Sequence, residues 1–393
     1  MAAIDLRTST ILSHIHALAV DIGPRGSTTE GERNGAEYCQ RTFERLGLKP
    51  YWEKFTSARS IFHPHLIGGL LMLVAFAIYP LGGRATAVIA ALLSLLVLVS
   101  ELQELGFKNN LLRMLVPKGQ SQNVIAVIPP AGEHHQDLVL IGHIDTQRTP
   151  FVFRSPRWVE IYKGFTTFAF LLFAAQIVFF SMGAVFQWGW VWLAAIPGAV
   201  CALLLVVLCI QAELTPFTAG ANDNASAVAM VLALAEEFAS APLEHTRVWA
   251  VCTGCEEVQH YGAIDFFRRH RAEMHHPKAI VFELVGINGP AWLTQEGIIV
   301  PFHADPHLLR LAEQVCAAHP DMEAYPVKIS GGNSEMADCI QAGVPAITLF
   351  GLTRDGEAPY WHQVGDTYDK IQPEGVARNY HFTREMIASM DHQ

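Results

Sequence analysis

The 393-residue chain is 51% hydrophobic and only 16% charged, with a formal net charge of −10 and a mean hydropathy of +0.25. So little charge, against about 25% in soluble domains, excludes an ordinary water-soluble enzyme, and the apolar content excludes a disordered chain. Seven cysteines are too few for a disulfide scaffold, and the acidic balance argues against a nucleic-acid partner.

In chain order, the first 25 residues carry Asp5 and Asp21 and lack an apolar core, so no secretory signal is expected. Residues 35–46 predict an amphipathic helix. No Asp, Glu, Lys or Arg occurs at 60–83, and a second uncharged run follows Arg84 at 85–100. A membrane-crossing helix needs about 20 mostly apolar residues. Two spans are therefore predicted near 66–81 and 85–100. Residues 122–128 and 137–141 read as strands. A longer uncharged run at 164–212 must fold back on itself, with its turn expected at 181–187 ahead of Trp188, Trp190 and Trp192, residues suited to a membrane interface. Beyond it, 224–239 predicts a strong helix, and 247–253, 279–284 and 346–350 are short apolar runs of strand type.

Strands alternating with helices imply an α/β layer structure whose central sheet is largely parallel. The expected organisation is one discontinuous domain, residues 1–61, 101–163 and 213–393, interrupted by transmembrane helical hairpins at 62–100 and 164–212. Four crossings return all three pieces to one side of a lipid bilayer. Lys54, Arg59, Lys108, Arg113, Lys118, Arg154, Arg157 and Lys163 flank the spans on the domain side, against Arg84 alone opposite, which predicts a cytoplasmic domain.

Ligands of such sheets bind beyond the carboxyl ends of the strands. Metal-capable side chains recur there: His143 and Asp145 after one run, Asp223 before the strong helix, Glu256 and Glu257 after the next run, Glu283 after another, and His362 near Asp366 toward the C-terminus. Each alone reads equally well as a surface or capping residue. Together, carboxylate and imidazole ligands without thiolates suit a catalytic metal site.

At these positions the chain resembles the zinc peptidase family that includes di-zinc aminopeptidases, glutamate carboxypeptidases and glutaminyl cyclases. The resemblance opens at Ile22-Gly23-Pro24-Arg25-Gly26-Ser27 and continues through His143-x-Asp145-Thr146, Asp223-Asn224-Ala225-Ser226, Glu256-Glu257 and His362-x-x-x-Asp366-Thr367. It implies a zinc exopeptidase-like fold, a central mixed, largely parallel sheet flanked by helices, with two Zn2+ per chain and a peptide or amide substrate. His143 and Glu283 would hold one ion, Glu257 and His362 the other, and Asp223 would bridge them. Asp145 would orient the His143 imidazole, and Glu256 would be the general base. Two positions depart from the family: Glu283 stands where Asp is more usual, and Trp361 stands where relatives often have Tyr.

Three functions fit this pattern: a di-zinc exopeptidase, first of all an aminopeptidase; an amidase or cyclase acting on lipophilic or N-terminal substrates; and a non-catalytic binding protein. Cys252-x-x-Cys255 is read as strand packing, and His260, just after the glutamate pair, either as lining the pocket or as a surface-loop residue.

Overall fold

Residues 136–143 read Gln-Asp-Leu-Val-Leu-Ile-Gly-His, and all of them are buried, as expected for a central strand covered on both faces. In the computed structural model of the chain, which describes residues 5–298 and 300–392, this is the third of nine strands among the described residues. They are β1 Tyr51–Ala58, β2 Lys118–Ile128, β3 Gln136–His143, β4 Thr246–Thr253, β5 Lys278–Glu283, β6 Ala291–Glu296, β7 Phe302–His303, β8 Tyr325–Lys328 and β9 Ala346–Phe350. One sheet orders them β1-β2-β4-β3-β5-β9-β6-β7, with β8 also pairing β6. The inner strands β4, β3, β5 and β9 are mutually parallel, while β2 and β6 join that block antiparallel. The fold is thus the expected α/β arrangement, a mixed, largely parallel sheet flanked by helices.

Register decides where chemistry can gather. His143 pairs with Thr253 across β3 and β4, and Glu283 with Phe350 across β5 and β9, so these strands end level. The helix Ser226–Ser240 is apolar nearly all round and buried from Ser226 through Ala235, as a helix between layers must be. It lies close over β3: a Cβ on Gly142 would sit 2.9 Å from the backbone carbon of Ala227. Glycine at 142 therefore allows the start of this helix to reach the end of β3, beside His143.

The chain divides into two compact units, one of Met1–Ser57, Gly119–Arg148 and Pro216–Gln393, the other of Ala58–Lys118 and Thr149–Thr215. The first holds the sheet. The second is helical, and four of its helices are long and apolar enough to cross a membrane: Phe62–Leu81, Gly83–Leu105, Pro156–Phe186 and Ile196–Glu213, with mean hydropathies of 1.8, 2.3, 2.2 and 2.1. Inside this unit Gln176 is fully buried and donates to the Met72 carbonyl at 3.3 Å and to Ser94 Oγ at 3.4 Å.

Two elements differ from expectation. The helix predicted at 35–46 runs Glu30–Arg45, because Thr29 caps its first turn by accepting the Glu32 N–H. The third apolar helix begins at Pro156, whose fixed φ suits a first helical position, and continues to Phe186 before Gln187 turns left-handed. It passes through the turn expected at 181–187, since the uncharged run marks where charge ends, not where the helix starts.

Candidate metal centre

Five loops and strand ends converge at the carboxyl edge of the sheet. His143 is the last residue of β3 and Glu283 the last of β5. Glu256 and Glu257 lie in the turn after β4, Asp223 in the turn leading into the Ser226–Ser240 helix, and His362 in the loop after β9. All are buried.

Asp223 stands at the middle. Its Oδ1 lies 3.5 Å from His143 Nε2, and its Oδ2 lies 3.5 Å from His362 Nε2. Each imidazole faces a further carboxylate: Glu283 Oε2 is 3.6 Å from His143 Nε2, and Glu257 Oε2 is 3.2 Å from His362 Nε2. The groups His143–Asp223–Glu283 and Asp223–Glu257–His362 each offer ligand atoms within 4.8 Å of one another, and His143, Glu256 and Glu257 form a third such group. The structure therefore brings together all six side chains that carry direct metal or base roles in the sequence reading.

Asp145 sits one layer behind. The His143 Nδ1 lies 3.0 Å from the Asp145 backbone carbonyl and 3.6 Å from its carboxylate, so the carbonyl is the nearer partner orienting the ring. The carboxylate itself accepts Ser27 Oγ–H at 2.6 Å and the backbone N–H groups of Glu256 and Glu257 at 3.0 and 3.2 Å. Glu32 accepts the preceding N–H, that of Cys255, at 2.9 Å. Three successive amides of the turn thus end on two buried carboxylates, which fixes the main chain from which both glutamate side chains project. Asp366 treats the other turn in the same way, accepting the N–H groups of Asn222 and Asp223 at 2.7 and 2.9 Å. Glu283 is steadied by Asn224, whose Nδ2–H donates to Oε2 at 2.7 Å.

Arg25 closes the frame. Fully buried, its guanidinium donates to the carbonyls of Leu18, Gly23, Ile144, Ala219 and Gly220 at 2.7 to 3.0 Å, tying the segment after β3 to the segment before Asp223.

Electrostatics define what the cluster accepts. Burial pushes Glu257 up to about 7 and Glu283 well above the usual carboxylate range, against the pull of His362 and His143 respectively. Burial works against a charge on His143, yet Glu256 and Glu283 hold its pKa well above the ordinary value. Among the described residues no lysine or arginine pairs with Asp223, Glu256, Glu257 or Glu283. One buried oxygen each of Asp223, Glu257 and Glu283 has no hydrogen-bond donor among the described residues. Buried carboxylates are costly unless paired or bound to a cation. Two imidazoles, three carboxylates and no thiolate form a donor set that fits zinc.

Other residues are placed differently from the sequence reading. Of the two readings of His260, the surface loop fails: the residue is buried and contacts Glu256. Glu296 and Glu335 are fully buried acids, of which Glu296 went unmarked in that reading. Glu296 accepts the N–H and Oγ–H of Ser334 at 3.0 and 2.8 Å, and Ser334 also meets Thr348 Oγ1 at 2.7 Å. Cys252 and Cys255 are buried, and burial raises both thiols well above their usual range, in keeping with packing. Trp361 packs against the apolar cluster of Leu284, Leu293 and Phe350, its ring 4.2 Å from that of His362.

Comparison with known proteins bears on the family and the fold. The sequence profile of peptidase family M28 matches residues 207–387, and the motifs described above resemble the same family. Among solved structures, a zinc aminopeptidase from Bacillus subtilis is similar at 12% identity and TM-score 0.59, the match covering 99% of this chain and 96% of that one. A leucine aminopeptidase precursor from Bacteroides thetaiotaomicron is similar at 12% identity and TM-score 0.58, covering 98% and 97%. The glutaminyl cyclase of the same organism, bound to N-acetylhistamine, gives 12% identity, TM-score 0.58 and 98% of each chain. At these identities the likeness is one of fold. No curated protein matches the chain in sequence.

Proposed function

We propose that this chain is a membrane-anchored hydrolase of peptide bonds that holds two zinc ions and acts as an aminopeptidase. The observation that carries the reading is the division of Asp223 between His143 and His362, each with a second carboxylate of its own. His143, Asp223 and Glu283 would hold one ion, and Asp223, Glu257 and His362 the other. Zinc held there would polarise the scissile carbonyl and lower the pKa of the attacking water.

The rest belongs to the chain's own side chains. Glu256 directs Oε2 toward His143, 3.7 Å from Nε2, so this carboxylate faces the ligand cluster without being needed by either three-residue set. It takes a proton from the attacking water and returns it to the leaving amine. Asp145 and Glu32 hold the turn so that Glu257 serves as a ligand while its neighbour remains free to act as base. The side chains of Glu256 and His362 keep the most exposure in the cluster, 11% and 9%, against 2% and 3% for His143 and Asp223, so substrate reaches the cluster over Glu256 and His362. The four apolar helices anchor the chain in a bilayer, and the basic residues flanking them put the catalytic unit in the cytoplasm.

The glutaminyl cyclases among the structural neighbours support a second reading, cyclisation of N-terminal glutamine. The complete His143–Asp223–Glu283 group favours the first, since a single-metal cyclase leaves two of these residues without a role. Metal content of the detergent-purified protein, with rates on aminoacyl amides, their N-acylated counterparts and peptides beginning with Gln, separates the two. The expected result is two zinc ions per chain and cleavage that requires a free amino group. Release of pyroglutamyl peptide alone would favour the cyclase, and two zinc ions without any turnover would favour a binding protein.

A further inference from the structure

The glutamate read as the general base has one oxygen committed elsewhere. His260, at the start of the helix Tyr261–His270, folds back over the Glu256 turn, its backbone N–H donating to the Glu256 carbonyl at 2.8 Å. Its ring lies between two carboxylates from different parts of the chain. Nε2 is 3.1 Å from Glu256 Oε1, and Nδ1 is 2.5 Å from Oδ2 of Asp338, which belongs to the helix Met336–Gln341. All three side chains are buried. The two oxygens of Glu256 are therefore divided, Oε1 toward His260 and Oε2 toward His143 at 3.7 Å.

We propose that Asp338 and His260 are positioning residues for Glu256: Asp338 accepts Nδ1–H and locks the ring, and Nε2–H donates to Glu256 Oε1, turning Oε2 toward the site of the attacking water. The inference rests on the reading of Glu256 as the base. The physical need is clear, because the terminal torsion of a glutamate is broad and nearly two-fold, so an untethered carboxylate presents either oxygen over a range of angles. A donor fixed at one oxygen removes that freedom, and Asp338 supplies the fixity by holding the imidazole from its far side. Each ring nitrogen faces a carboxylate oxygen, which acts as an acceptor, so both nitrogens serve as donors; against burial, Asp338 and Glu256 also push the pKa of the ring up. Glu296 adds to the acidic surroundings of this ring.

A purely structural pair would serve to hold the Met336–Gln341 helix, and two substitutions separate the alternatives. His260→Gln places an amide N–H close to the position of Nε2 and keeps the link to Glu256 while giving up Asp338. His260→Asn does the reverse, and asparagine tolerates the left-handed backbone found at this residue, φ 54°. The full-length zinc-loaded protein should lose about 10- to 100-fold in kcat in His260→Asn, with KM, zinc content and melting temperature near those of the unaltered chain. His260→Gln should keep kcat within several-fold. Independently of turnover, 15N NMR of histidine-labelled protein should show His260 protonated at both ring nitrogens, and Asp338→Asn should change that signal. Unaltered kcat in His260→Asn, or an equal loss in both variants, overturns the proposal. Glu256→Gln is the control on the underlying reading: if it retains hydrolysis, the base assignment fails whatever His260 does, and if it abolishes hydrolysis while His260→Asn is fully active, only the positioning pair fails.

Discussion

Asp366 receives the backbone N–H of Asp223 at 2.9 Å, so the residue at the centre of the candidate metal cluster is held through its main chain by another buried acid. The second oxygen of Asp366 takes the Asn222 N–H, and Asp145 repeats the device under Glu256 and Glu257. Burial raises Asp366 to about 7, with the charge of Asp223 adding and the two N–H groups and Arg25 opposing. Asp145 is buried too, but the His143 charge, the Ser27 hydroxyl and the Glu256 N–H hold it below its usual value.

Replacing Asp366 with Asn should therefore disturb Asp223 without touching any direct ligand. An amide accepts on one side only, so one of the two backbone N–H groups loses its partner. Zinc affinity, read by competition with a chelator, should fall about 10- to 100-fold. Affinity equal to that of the original chain would mean that Asp223 is placed by other contacts.

Glu335 predicts a pH dependence. Burial, with Glu256 adding its charge, raises this carboxyl from 4.5 to about 8, against the pull of His143 and of the Thr253 hydroxyl. A raised folded pKa favours the folded state below the unfolded value, and that contribution is lost as pH climbs through the folded one. The metal-free protein should lose stability between about pH 4.5 and 8, and Glu335→Gln should be the more stable variant at pH 8 and no different near pH 4. Urea denaturation across this range measures it. A constant difference between the two proteins at every pH would contradict the account.

The apolar unit makes a prediction about solubility. Replacing 58–118 and 149–215 with short linkers removes all four candidate spans and leaves the sheet-bearing unit. The shortened chain should purify without detergent and retain zinc, whereas the intact chain should fractionate with membranes. A shortened chain that still partitions into membranes would place the anchor elsewhere.

Much of this was legible in the sequence for identifiable reasons. His143, Glu256, Glu257 and Glu283 each follow an apolar run of strand length, and parallel strands in register bring such ends together. The four long helices announce themselves as charge-free stretches. The start of Pro156–Phe186 was hidden because Arg157, Glu160 and Lys163 lie in its early turns, ahead of the uncharged run. His260 and Asp338 are 78 positions apart, and no local pattern pairs them. Arg25 was visible only as part of a motif, because its five partners are backbone carbonyls, which have no side-chain signature. The mixed edge built on β6, β7 and β8, where β7 pairs β6 antiparallel and β8 pairs it parallel, was missed because its strands are short and weakly patterned.

The central claim is that Glu256 moves the proton while its neighbours hold the metal. Zinc content and turnover of Glu256→Gln, measured on the same preparation, test it most directly. The account predicts two zinc ions per chain and a loss of kcat of at least about 100-fold. Turnover equal to that of the unaltered chain, with zinc still bound, would contradict it.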